Sequence, residues 1–93
     1  MNCVHLLGTI SQVPEVKELE GTCSVEFSVC VANKHKKRTG EIYEQKFEIP
    51  CVAWDSGARL IHKFFKKGSK IIVHGKIFSE DSFFVRVESF EFV

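Results

Sequence analysis

The stretch CSVEFSVCVA, Cys23 to Ala32, alternates apolar and polar without a break. Val25, Phe27, Val29 and Val31 fall on one side, and Ser24, Glu26, Ser28 and Cys30 on the other. A period of two sends successive side chains to opposite faces, so this stretch is a strand with one buried face. Three more stretches share the period. NCVHLLGTI (residues 2–10) places Val4, Leu6 and Ile10 together, with Gly8 interrupting that face as at a bulge or a barrel bend. IYEQKFEIPCVAW (Ile42 to Trp54) puts Phe47, Ile49, Cys51 and Ala53 on the core side, and Lys46, Glu48, Pro50, Val52 and Trp54 on the other. Pro50 removes a ladder donor, which makes that part of the strand an edge or a bulge. KIIVHGKIF (residues 70–78) turns Ile71, Val73 and Ile77 inward, and Ile72, His74, Lys76 and Phe78 outward.

A fifth strand, FFVRVESFEFV, closes the chain after a tight SEDS turn. Its apolar phase shifts between Val87 and Phe90, so a bulge is expected near Ser89. Pro14 and the charged EVKELEG break the pattern between the first two strands, and Gly21 marks a turn. Only one segment has helical period. Ala58, Ile61 and Phe65 fall at i, i+3 and i+7, flanked by Leu60 and Phe64. Asp55 or Ser56 is the expected N-cap, Lys66 and Lys67 the last turn, and Gly68 the C-cap.

The order is strand, strand, strand, helix, strand, strand. An all-β, five-stranded Greek-key barrel with one short helix between the third and fourth strands is the layout of the OB-fold, which commonly binds oligonucleotides. Periodicity by itself leaves other small β-barrels open.

Ninety-three residues make one domain, 1–93, whose core is small enough that oligomerisation or a ligand often supports it. No apolar run approaches a membrane span, and MNCVH lacks the charged and apolar regions of a secretion signal. A cytoplasmic, nucleoid-associated location is expected. The net charge is only +1, so composition does not by itself announce a polyanion partner. The distribution is less even: KHKKR (Lys34 to Arg38) and HKFFKKGSK (His62 to Lys70) are basic, while EVKELE and ESFE are acidic. Such a dipolar surface steers anions. Cys3, Cys23, Cys30 and Cys51 have no CxxC spacing, and His5, His35, His62 and His74 are scattered. They read as reduced thiols and isolated imidazoles, with no metal and no cofactor. No nucleophile–base set or phosphate-cradling glycine loop is present, so the chain does not read as an enzyme.

The sequence resembles the bacterial single-stranded DNA-binding protein family. MNCVHLLGTISQVPEV is similar to the family's opening, VEFSVCVAN to its second strand, and TGEIYEQKFEIPCVAW and FFKKGSKIIVHGKI to its two most distinctive segments. The resemblance implies an OB-fold that binds single-stranded DNA without base readout in replication, recombination or repair. It also implies a homo-oligomer, a tetramer or alternatively a dimer, pairing through the first strand at Asn2 to Gly8. Trp54 matches an aromatic position on the outer face of the third strand, and Lys67 a basic position before the Gly-Ser turn. The expected DNA-binding set is Trp54 and Phe78 for stacking, with Lys34, Lys36, Lys37, Arg38, Lys46, Lys67 and Lys76 for phosphate.

The departures are specific. Lys34 and Glu48 stand where the family often has aromatics, and a carboxylate on the binding face repels phosphate. The SEDS turn is shorter than the family's hairpin there, and Phe78 or Phe83 is left to substitute for its aromatic. The chain ends at FEFV without the family's flexible tail and acidic tip, and reads as a short or trimmed form. An alternative follows: an interaction module like primosomal replication protein n, a short OB dimer with weak DNA binding. Trp54 keeps a packing reading beside the stacking one. Phe78 divides between stacking and a subunit contact, and Tyr43, near a hairpin end where parity is unreliable, ranks below it.

Overall fold

The computed structural model describes residues 1–93. Six strands and one helix run in the order β1 (Val4–Ile10), β2 (Glu15–Leu19), β3 (Thr22–Lys36), β4 (Ile42–Trp54), α1 (Asp55–Phe64), β5 (Lys70–Ser79) and β6 (Phe83–Phe92). The sheet order is β1-β5-β6-β4-β3-β2, and a further β1–β3 pairing closes it. Buried Pro14 lies in the four-residue bend between β1 and β2. Counted as the two halves of one bent strand, β1 and β2 complete the expected five-stranded OB barrel.

The segment Glu15–Leu19 is therefore a strand, and not merely a break in the pattern. It pairs with β3 through a two-residue loop, Glu20 and Gly21, both with positive φ. That is the geometry of a type I′ hairpin. All five residues of β2 are exposed, so the strand has no buried face to give it an alternating signature.

The core is a cluster of thirteen buried apolar residues drawn from every wall of the barrel and from the helix. β3 gives Cys23, Val25, Phe27 and Val29, and β4 gives Cys51 and Ala53. Ala58, Ile61 and Phe65 are buried as the helical spacing requires. Phe47 and Ile77 are exposed, although their parity matches the core side. β3 and β4 stay paired out to Lys36 and Ile42, while β1 pairs with β3 only at Thr9 and Ile10. Beyond that point the β3–β4 hairpin leaves the barrel, and the molecule measures 56 × 28 × 21 Å. Phe47 lies on this projecting part, and Ile77 near the open end of β5.

Two backbone contacts set the barrel's curvature. A Cβ on Gly8 would lie 2.4 Å from the Cys30 carbonyl oxygen, and one on Gly75 would lie 2.1 Å from that of Arg86. In β5 and β6, His74 is opposite Ser89 but Gly75 is opposite Val87, so Glu88 is an extra residue. The bulge expected near Ser89 sits one residue earlier. Pro50 lies just before β4 gains its second neighbour, the parallel β6 at Cys51 and Val52, so its missing donor falls on an open edge.

The helix ends differ from expectation. Trp54 is itself the N-cap residue, with no side-chain capping hydrogen bond. β4 runs straight into the helix, and Asp55 makes the corner with φ 55°. The helix stops at Phe64, so His62 and Lys63 occupy its last turn and Lys66 and Lys67 lie beyond it. Gly68 (φ +93°) shapes the following turn, where the Ser69 amide donates to the Lys66 carbonyl at 3.0 Å. The Gly68 amide donates to the Ile10 carbonyl at 2.8 Å, so this connection is tied to β1 and does not cap the helix.

Substituting alanine at the two contact glycines separates close approach from flexibility. Gly8→Ala and Gly75→Ala should each destabilise by about 1–3 kcal/mol, because a methyl group must displace backbone. Gly57, in the helix with no atom within 4 Å of its Cβ position, should instead gain about 0.5 kcal/mol as alanine. Thermal unfolding followed by circular dichroism distinguishes the three.

Candidate nucleic-acid interface

The corner at Asp55 decides where the tryptophan goes. Trp54 is the last residue of β4, paired with Ser24 across the ladder and turned to the outer face. The helix starts directly behind it, and Trp54 as a residue remains 43% exposed. It forms a ridge between two surface hollows.

One hollow is lined by Trp54, Asp55, Ser56, Lys76, Phe78, Arg86, Val87 and Glu88, two cations and two carboxylates. Pairing explains the convergence: Val52 lies beside Arg86, Arg86 opposite Lys76, and Phe84 opposite Phe78. The Phe78 and Phe84 rings stack with centroids 6.0 Å apart and planes at 20°. The Arg86 guanidinium lies 6.0 Å from the Phe78 centroid. Lys76 approaches Glu88 at 3.9 Å with both side chains half exposed, a pair of little energetic weight. Three expected residues, Trp54, Lys76 and Phe78, thus meet. Arg86 was missed in sequence, although its parity, opposite to that of core Val85, places it on the outer face.

The other hollow is acidic. Glu15, Glu26, Glu80 and Asp81 share it with Trp54, Phe83 and Phe84. Lys17 answers only one of them, reaching Glu26 at 3.1 Å. Polyanion contact is therefore disfavoured on this side of Trp54, whereas on the other side Lys76 and Arg86 offset Asp55 and Glu88.

The remaining expected residues lie apart from this centre. Lys34, Lys36, Lys37 and Arg38 run along the projecting hairpin to its tip, and Lys46 sits opposite Ala32 with Glu44 at 3.5 Å. Lys37 pairs loosely with Glu41 at 3.9 Å. Glu48 takes the outer face opposite Cys30. Lys67 follows the far end of the helix and lines neither hollow around Trp54. A helix of ten residues separates its ends by about 15 Å.

Other titratable groups are placed structurally. His5 and His74 share an Nδ1–Nδ1 hydrogen bond of 2.7 Å, and His74 Nε2 meets Glu91 at 2.6 Å. No group of three or more His, Cys, Asp or Glu side chains converges as metal ligands. Cys51 is 1% exposed, and burial pushes its thiol up to about 12 from an ordinary 9.0.

A curved β-barrel closed by β1 and β3, with one helix after β4, is the OB architecture, and an aromatic hollow and a basic hairpin lie on its outer side. The family model of the single-strand binding protein family matches residues 1–83, and the chain belongs to that family. It is 31% identical over 78 residues to a single-stranded DNA-binding protein of Fusobacterium nucleatum, covering 83% of this chain and 51% of that protein. It is 30% identical over 83 residues to single-stranded DNA-binding protein 1 of Xylella fastidiosa, covering 87% and 61%. The chain thus spans about half the length of the Fusobacterium relative. Among solved structures, a Plasmodium falciparum SSB complex with ssDNA superposes with a TM-score of 0.88 at 21% identity, covering all of this chain and 95% of that one. A deletion mutant of the single-stranded DNA binding protein from Thermus aquaticus superposes with a TM-score of 0.85 at 18% identity, covering 98% and 49%. Both share the fold.

The state of Cys51 has a measurable consequence. Below pH 9 its thiol is neutral whether the chain is folded or unfolded. As pH rises from 9.0 towards 12 only the unfolded chain ionises, so this residue's contribution to stability falls over that window. Iodoacetamide at pH 8 should alkylate exposed Cys3 first and spare Cys51 until denaturant is added, read by peptide mass spectrometry. Fast native labelling of Cys51 would contradict its burial.

Proposed function

We propose that this chain binds single-stranded DNA without base readout, and that it serves replication, recombination or repair as a non-catalytic binder. The observation that carries the reading is the hollow in which Trp54, Phe78, Lys76 and Arg86 meet, on a barrel of the single-strand binding protein family. Exposed rings offer stacking that any base satisfies, and the adjacent cations offer phosphate contacts. The hairpin lysines and Arg38 extend the positive surface. The Plasmodium protein of like fold, a complex with ssDNA, supports the same ligand class. The interaction-module alternative is not favoured, because the family match and the relatives are single-strand binding proteins. Lys67 is a peripheral phosphate contact in this reading.

A homo-oligomer, with a tetramer as the first expectation, completes the proposal. Val4 to Gly8 are hydrogen-bonded to β5 on one side only, and an unpaired strand edge accepts a strand from a second copy.

Because Trp54 is the single tryptophan, its emission reports directly. A thymidine oligomer of about 35 nucleotides, longer than the roughly 4–16 one OB fold covers, should quench it strongly. Affinity should fall steeply between about 50 and 200 mM salt. Trp54→Ala, followed by anisotropy of a labelled oligomer, should cost about 1–3 kcal/mol of binding while the fold survives. Unquenched binding would remove the stacking role of Trp54, and no binding at low salt would remove the function.

A further inference from the structure

We infer that His5 and His74 form an open binding site for a divalent transition-metal ion of the kind that prefers imidazole, such as zinc, and that the ion clamps β1 to β5 on the outer face of the barrel. Neither histidine lines the hollows beside Trp54, so the site is separate from the single-strand reading.

Register brings the two rings together. His5 and His74 are direct partners in the antiparallel β1–β5 ladder, although 69 positions separate them in sequence. Side chains opposite one another in such a pair stand about 4.5–5.5 Å apart at Cβ. Here the rings meet edge to face, with centroids 4.9 Å apart and planes at 67°. Their Nδ1 atoms approach to 2.7 Å. The start of the chain holds this register: the Asn2 side chain donates to the Ile77 carbonyl and accepts from the Ile77 amide, each at 2.9 Å.

Glu91 decides which nitrogen is free. Its carboxylate accepts from His74 Nε2 at 2.6 Å. In the neutral ring the lone pair is then on Nδ1, the atom that faces His5. Only one proton fits between the two Nδ1 atoms, and His5 supplies it. A metal ion replaces that proton and takes one lone pair from each ring, while the His5 proton moves to Nε2. A carboxylate on the far nitrogen is the usual partner of a metal-ligating histidine, because it orients the ring and raises its basicity.

The movement required is small. Zinc–nitrogen bonds of about 2.0–2.1 Å at a tetrahedral angle hold two donors about 3.3 Å apart. The Nδ1 atoms must therefore open by about 0.6 Å from their present 2.7 Å, and the rings must turn so that both lone pairs meet. His5 is exposed and His74 half-buried, so both side chains have room to turn and water can fill the remaining positions. No third His, Cys, Asp or Glu side chain converges as a ligand, so the ion exchanges freely and is no closed structural centre. The charge in contact with the pair is negative, that of Glu91. Lys76, two residues along β5 on the same face, is engaged by Glu88 at 3.9 Å. His35 stacks on Tyr43, and His62 stands in the last turn of the helix, so the chain carries its own control imidazoles.

The test titrates zinc chloride into the protein, with Cys3→Ser in every variant to remove the exposed thiol as a competing ligand. Long-range proton–nitrogen NMR follows the four imidazoles. The Nδ1 signals of His5 and His74 should shift together and saturate at one ion per chain, with His35 and His62 unmoved. By calorimetry, His5→Ala and His74→Ala should each bind zinc at least tenfold more weakly, and Glu91→Gln about tenfold. Zinc should raise the melting temperature of the parent but not of His5→Ala. Circular dichroism checks that each variant is folded. Shifts spread evenly over all four histidines, or an affinity unchanged by His5→Ala, would mean adventitious surface binding and overturn the site. So would His5 and His74 signals that stay in place at millimolar zinc, a result that needs no variant to fold.

Discussion

The barrel exists because two pairs of backbones come closer than any side chain permits. At Gly8, β1 lies against Cys30 of β3, and at Gly75, β5 lies against Arg86 of β6. Thirteen buried residues leave little apolar area to hold an open sheet, and closing it covers most of the inner face. The remaining features depend on that closure. β4 meets β6 in parallel only at Cys51 and Val52, which brings Arg86 beside Val52 and towards Trp54. The helix packs Ala58 and Ile61 into the core, and Phe65 just after it does the same. Its abrupt start at Asp55 fixes the tryptophan at the rim.

The electrostatics then divide the surface around that tryptophan. Glu15, Glu26, Glu80 and Asp81 lie on one side, and on the other Lys76 and Arg86 offset Asp55 and Glu88. A nearly neutral protein can in this way direct a polyanion along one path, because field strength depends on arrangement more than on the total.

The barrel was legible in sequence because most strands have one buried face, and burial writes a period of two. Cys23 to Ala32 and the outward parity of Trp54 are examples. β2 was not legible, since all of its residues are exposed and its hydrogen bonds leave no hydropathy trace. The helix ends were misjudged because Asp55 and Gly68 answer to backbone geometry: the first turns a corner without capping, and the second serves a turn tied to Ile10. Phe47 and Ile77 show the converse limit. Parity gives the side of a strand but not whether the barrel still lies behind it. Around the hollow, outward parity gave the face of Trp54, Lys76 and Phe78, and the family resemblance suggested their role. Arg86 was hidden because only the parallel β4–β6 contact, remote in sequence, places it near them.

The bulge at Glu88 has a final consequence. Removing that residue would leave Val85, Val87, Phe90 and Phe92 alternating in perfect step, so the strand would look more regular on paper. What would vanish is the kink opposite Gly75, and with it part of the twist that lets a short sheet meet itself. Glu88 thus acts as a spacer, and its worth lies in being counted. Two chains that differ by this single letter would encode different curvatures.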